Sequence, residues 1–290
     1  MALISGLTDI LTSIKNDIDS AEDSVPETFK IGNAIEDDIV AIDGGSSTLW
    51  SNGIRSIGIL RYGFVSYSPS FRVNEMHIES KFVYVDAEGT SLDLERHKGE
   101  ALQIELASGH GSAVLFDGAL SKIPDIGMDK IVKKVNERVP VVGVSKKSSL
   151  SMLNGRCPDI WTPIGPNSYI ALPEEKVKEM VKKRNLLDVA TTFYARLHEH
   201  GPTLRIDIAG AGADILRSLK HYSAYQLCPG YPFPLAEIHR LVCMDDKRDV
   251  YEHVLRKEME KKGMVKIYLK GKVEGGSAIG GFHSTLDGMV

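Results

Sequence analysis

Asp43 and Asp117 each close a short apolar run and are each followed by glycine, in AIDGG and VLFDG. If Ile39 to Ile42 and Ala113 to Phe116 are neighbouring parallel strands, both carboxylates project from one edge of a sheet. Carboxylate oxygens grouped that way hold hard divalent cations. Two such ions about 4 Å apart activate a water and stabilise the leaving oxygen of a phosphodiester. A single Asp-Gly more often marks a turn. Two at matching strand ends point to chemistry.

A third carboxylate is expected from the helix between them. Glu95 shares a face with Leu92, Gly99, Leu102 and Leu106, which reads as the sheet-facing side. A charge on such a face needs a partner or a metal. Glu100 lies at the flank of that face and Glu105 opposite it. Ser145-Lys146-Lys147 reads as a phosphate-contacting turn or as a solvated loop. His97, His110, His198, His200 and His283 have no metal-ligand spacing.

The elements that must position these groups follow from periodicity. Ile39 to Ile42 reads as a strand ending at Asp43, with GGSS as the turn after it. Ile54 to Tyr67 and Arg72 to Val85 are rich in Ile, Val, Tyr and Phe and read as two more strands. Ser91 to Ala107 has helical spacing, Ala113 to Phe116 reads as a buried strand, a helix carries Ile131 and Val132, and VPVVGV (139–144) is again a strand. Strand, strand, strand, helix, strand, helix, strand gives a meander extended by crossovers. The expected class is therefore α/β, a ribonuclease H-like mixed sheet flanked by helices.

Further along, Pro173 to Arg184 reads as a helix, Val189 to Leu197 and Leu204 to Ile208 as strands, and Ala211 to Leu219 as a helix. The turn GYPFP (230–234) leads into a helix through His239, Lys247 to Lys262 reads as a charged surface helix, and Val265 to Val273 as a closing strand. Three segments are expected: 1–38 as an amphipathic helix and acidic linker, 39–275 as one elaborated domain, and 276–290 as a Gly-rich tail. The helix, with Leu3, Leu7, Ile10, Leu11, Ile14 and Ile18 on one face, is expected to dock on the body or on a partner.

Composition sets the frame. The 290 residues are 42% hydrophobic and 26% charged, as expected of a globular protein with a real core. Three cysteines (157, 228, 243) make no CxxC pair, and no apolar run approaches the roughly 20 residues of a membrane span. The N-terminus lacks a basic lead. A reducing cytoplasm is the expected compartment.

The segments AIDGGSS (41–47), VLFDGALS (114–121), VVGVSK (141–146), FYARL (193–197), LRIDI (204–208) and GYPFPLAEIHRL (230–241) together resemble the NurA nucleases, over residues 39 to about 245. The resemblance implies a ribonuclease H-like, manganese-dependent homodimer with a central channel, magnesium being the substitute ion. It implies exonuclease activity on DNA, 5′ to 3′, with endonuclease activity on single strands. The work would be DNA end resection beside a hexameric HerA translocase. Asp43 and Asp117 match the family's metal-binding aspartates. Its Arg followed four residues later by Glu matches Arg96 and Glu100, so Glu95 and Glu100 both stay as metal candidates. Tyr194 matches the tyrosine of the YxRL segment and His239 the histidine after the YPxPL turn, with Asp207 a further acidic candidate. Lys146, Lys147 and Arg196 are candidate DNA contacts. His239 could orient the scissile phosphate, ligate metal or protonate a leaving group.

Two rival classes remain. IDGGSSTLW also resembles the first phosphate loop of sugar-kinase and actin-like ATPases, with FDGAL as the second. The chain could instead be a non-catalytic DNA clamp. Net charge does not decide between them. The overall −4 averages an acidic leader, nine acids and two lysines over residues 1–42, with a body of +3. Within that body, residues 122–185 carry +6 and 247–272 carry +5, patches able to track phosphates.

Overall fold

The apolar runs ending in the two aspartates pair as parallel neighbours in a computed structural model of the chain, which describes residues 7–8, 10–13, 27–86, 91–123, 126–146 and 164–279. Strands β2 (Ile39–Ser51), β3 (Arg55–Tyr67) and β4 (Val73–Asp86) follow the short β1 (Phe29–Lys30) and form an antiparallel meander. Helix α1 (Leu92–Ala107) crosses to β5 (Val114–Asp117), parallel to β2; α2 (Met128–Val135) crosses to β6 (Val141–Ser145), parallel to β5. After β7 (Ser168–Ala171) and α3 (Glu174–Lys182), β8 (Ala190–Arg196) and β9 (Leu204–Ala209) return antiparallel. Among the described residues the sheet has nine strands in the order β1-β7-β8-β9-β6-β5-β2-β3-β4. Its right half has the ribonuclease H-like order expected. β1 and β7 were not foreseen, being only two and four residues long.

Both faces of the central strands are covered, so they read as continuous apolar runs. Val40, Ile42, Val114 and Phe116 face α1 and α2. Ile39, Ala41, Leu115 and Val142 face α4 (Ile215–Tyr222) and α5 (Phe233–Val242). A third cluster joins Leu49, Trp50 and Ile59 to α6 (Arg248–Lys261) and α7 (Val265–Ile279).

Four expectations are corrected. GGSS makes no turn, because β2 runs unbroken through it, so no phosphate loop of the ATPase kind forms there. Val265–Val273 alternates like a strand but is helical, docked by the Trp50 Nε1–H, which donates to Ile267 O and Tyr268 O at 3.3 and 3.1 Å. Tertiary docking overrides local preference here. The helix continues to Ile279, through the first residues of the expected tail; residues 280–290 lie outside the described residues.

The fourth concerns α1. Its buried residues are Gly99, Glu100, Ala101, Gln103, Ile104 and Ala107, while Leu102 and Leu106 are exposed. Small residues let the helix close on the sheet: a Cβ at Gly99 would lie 2.6 Å from the Tyr62 ring. Near the N-terminus, residues 7–8 and 10–13 are helical, with Leu7, Ile10 and Leu11 exposed; residues 1–6, 9 and 14–26 lie outside the described residues. Among the described residues, no helix is long and apolar enough to cross a membrane.

Candidate active site

The register of β2 with β5 runs Val40↔Val114 to Ile42↔Phe116, which sets Asp43 level with Asp117. Side chains alternate along a strand, so both aspartates fall on the face that carries α5. His239, on α5, completes the group. One ligand atom from each of Asp43, Asp117 and His239 lies within 4.8 Å of the others. His239 Nδ1 is 2.8 Å from Asp43 Oδ2 and 3.7 Å from Asp117 Oδ2.

Two glycines make this possible. A Cβ at Gly45, on the α5 face, would lie 2.2 Å from Val242 O and force α5 off the sheet. A Cβ at Gly44, on the opposite face, would lie 2.8 Å from Glu100 Oε1. Arg61 adds a clamp: its Nε donates to Leu241 O at 2.8 Å, holding the C-terminal end of α5 over β3.

Burial raises the Asp43 carboxyl above its ordinary value against the opposing His239 hydrogen bond, and the nearby Asp117 charge adds to the rise. The Gly44 N–H donates to Asp43 Oδ1 at 2.7 Å. His239 is raised, first by its hydrogen bond to Asp43, with burial opposing. Its side chain is 54% exposed, so the ring faces outward to whatever reaches the site.

Of the two helix glutamates, Glu100 is fully buried and Glu95 is not. Glu100 packs against Gly44 across the strand from the aspartates, paired with Arg96 and with His97 Nδ1 at 2.8 Å. Burial raises its carboxyl, and the Asp43 charge contributes in the same direction. Glu95 points outward to Lys98, 2.7 Å away. Neither joins the group of three.

The remaining candidates disperse. Lys146 Nζ sits 3.1 Å from Asp117 Oδ2 and 4.5 Å from the centroid of the Tyr231 ring. Lys147 lies outside the described residues. Arg196 turns back onto its own loop, donating to Gly201 O and Glu199 O. Tyr194 is 1% exposed and packed within the core on the α1 side of the sheet. Asp207 is fully buried and held by Arg205, Thr192 and the Leu120 N–H, an arrangement that leaves it no open face for a metal. Tyr231 is the neighbour sequence reasoning missed, although it stands in the GYPFPLAEIHRL segment.

Two carboxylates and an imidazole suit a divalent cation, since hard oxygens and an imidazole are ordinary ligands of such ions.

The fold matches that of known nucleases. The NurA crystal structure from Sulfolobus solfataricus superposes with a TM-score of 0.66 at 19% identity, covering 90% of this chain and 98% of that one. NurA bound to dAMP and manganese gives 0.55 at 12% identity, over 84% and 92%. NurA with manganese gives 0.55 at 11%, over 89% and 98%. At these identities the likeness is one of fold. No curated protein matches the chain. A family model for the NurA domain matches residues 37–243, from the start of β2 through the end of α5 and hence across all three site residues: the chain belongs to the NurA family.

Proposed function

We propose that this protein is a metal-dependent DNA nuclease. The observation that carries the reading is the convergence of Asp43, Asp117 and His239 at one sheet edge within the NurA domain. A divalent cation held there supplies Lewis acidity and a nucleophilic water at neutral pH. Asp43 and Asp117 provide the negative charge that holds it. His239, half exposed and hydrogen-bonded to Asp43, is placed to orient a phosphate or to hold a proton near the leaving oxygen. Glu100 stands across Gly44 from Asp43, and Lys146, beside Asp117, is a positioning candidate.

Manganese is the favoured ion, with magnesium as substitute, supported by the manganese-bound NurA structures; DNA as substrate is supported by the one that holds dAMP. Family membership also favours action at DNA ends, 5′ to 3′, as a homodimer beside a hexameric HerA-type translocase. We take residues 39–275 as the nuclease unit.

The test is incubation of the purified chain with labelled single-stranded DNA and Mn²⁺, and separately with ATP. Degradation that Asp43→Asn and Asp117→Asn each reduce at least about 100-fold is expected. Wild-type cleavage by both variants would refute the site, and ATP turnover without cleavage would refute the nuclease. Co-elution with a HerA-type hexamer tests the partnership.

A further inference from the structure

We propose that an aromatic cavity at the N-terminal end of α5 receives one unpaired base of the DNA strand whose phosphate lies at the metal site. The inference rests on the nuclease reading above. The cavity holds about 400 Å³ and is lined by Phe71, His221, Ala224, Tyr225, Gln226 and Leu227. Phe71 stands in the turn between β3 and β4, and His221 in the last turn of α4. Their rings stack at 5.3 Å and 24°, and Tyr225 adds a third ring 5.5 Å from Phe71. Phe71 holds a left-handed backbone, φ 59°, which glycine would adopt at lower cost. Strain of that kind collects at ligand clamps. Leu227, at the rim, is 85% exposed.

The chemistry of the lining favours a base over an aliphatic side chain. Aromatic rings stack on any base, since every base has a π-face. His221 Nε2 lies 2.8 Å from Pro69 O, and a carbonyl only accepts, so Nε2 carries the proton. Nδ1 of the neutral ring is then an acceptor without a hydrogen-bond partner among the described residues. The N–H edge of a base supplies one. Charge agrees with this occupant. Arg72 adjoins Phe71, Arg217 and Lys220 precede His221 on α4, and none of the three pairs with a carboxylate among the described residues. Arg217 and Lys220 donate to backbone carbonyls, at Asn33 and Gly32, so their charge is left for phosphates. The cavity is also within reach of the metal site. Phe71 and Tyr225 pack on Phe233, the first residue of α5, with ring centroids 5.8 and 4.3 Å away. His239 stands six residues along the same helix, a rise of about 9 Å. That is roughly three nucleotides at a stacked spacing of about 3.4 Å.

The test measures binding of a labelled single strand in chelator, without Mn²⁺, by wild type, Phe71→Gly and Leu227→Ser, with melting temperature as the fold control. The strand is also made with its bases removed one position at a time. Phe71→Gly, which keeps the left-handed turn and removes the ring, is expected to bind about tenfold more weakly. Leu227→Ser is expected to bind at least about threefold more weakly. In wild type, removing the base at one position away from the scissile phosphate is expected to cost about tenfold in affinity. In Phe71→Gly the same removal is expected to cost less than about twofold, because ring and base act as one contact. A position effect that survives in Phe71→Gly marks Phe71 as structural and overturns the proposal. Wild-type DNA affinity in both variants also overturns it and leaves the cavity to an apolar protein anchor. If Phe71→Gly does not fold, wild-type affinity in Leu227→Ser overturns it. Base-dependent binding that Mn²⁺ never converts to cleavage upholds the cavity and sinks the nuclease reading alone.

Discussion

His239 Nδ1 lies 2.8 Å from Asp43 Oδ2, tying α5 to β2 across 196 positions of chain. This hydrogen bond raises His239 above its ordinary value, against the opposing effect of burial. A histidine raised on folding contributes stability that is fully present below its unfolded value near about 6.5 and is lost as pH rises through the folded value. In metal-free protein, His239→Ala should therefore lower the melting temperature more at pH 5.5 than at pH 8.5. The ring is half exposed, so solvent screening keeps the effect small. Equal losses at the two pH values, read by thermal denaturation in chelator, would refute the assignment.

Glu100 and Glu95 should part company. Glu100 is buried beside Gly44 and electrostatically coupled to Asp43, whereas Glu95 faces Lys98 at the surface. Glu100→Gln is expected to lower DNA cleavage at least about tenfold, and Glu95→Gln to leave it within about twofold. Single-turnover cleavage at saturating Mn²⁺ checks both. The reverse order would restore Glu95 as the helix carboxylate.

How far the sequence carries can be read from particular residues. Asp43 and Asp117 were legible because short apolar runs announce strands and two such runs each end in Asp-Gly. His239 was legible only through the motif that contains it; its own apolar surroundings read as core. The length of β2 was not legible: Gly44 and Gly45 look like a turn locally, and stay in a strand because Glu100 and α5 need the room. The face of α1 was misread for a related reason, since small residues make the closest approach while Leu102 and Leu106 remain outside. Tyr231 and Lys146, 85 positions apart, meet only once β6 and the approach to α5 are placed.

Gly45 gives the next prediction. An alanine Cβ there would meet Val242 O at 2.2 Å, a backbone atom that cannot rotate away. Gly45→Ala should cost about 1–3 kcal/mol. It should also lower cleavage, because α5 carries His239. Gly109→Ala, whose Cβ would meet nothing within 4 Å, should stay within about 0.5 kcal/mol of wild type. Denaturant melts of the pair decide it; equal stability would mean that α5 tolerates displacement.

Asp207 was a candidate ligand and is placed instead to brace the segment that follows Asp117. Its Oδ2 accepts the Leu120 N–H at 3.0 Å and Arg205 Nη2 at 2.8 Å, while its Oδ1 accepts Thr192 Oγ1 at 2.7 Å and Arg205 Nε at 2.9 Å. Arg205 is itself 6% exposed, so removing the carboxylate strands a buried guanidinium. Asp207→Asn is expected to lose about 3–5 kcal/mol, and Asp207→Asn with Arg205→Met to lose less than that, because the second change removes the stranded charge. Both variants, measured below their melting transitions, should keep wild-type Mn²⁺ affinity within about threefold, well inside the 10–100-fold loss that a group acting directly on the metal ligands gives. A loss of Mn²⁺ binding with stability unchanged would return Asp207 to the metal site; a double variant less stable than the single would remove the pairing argument.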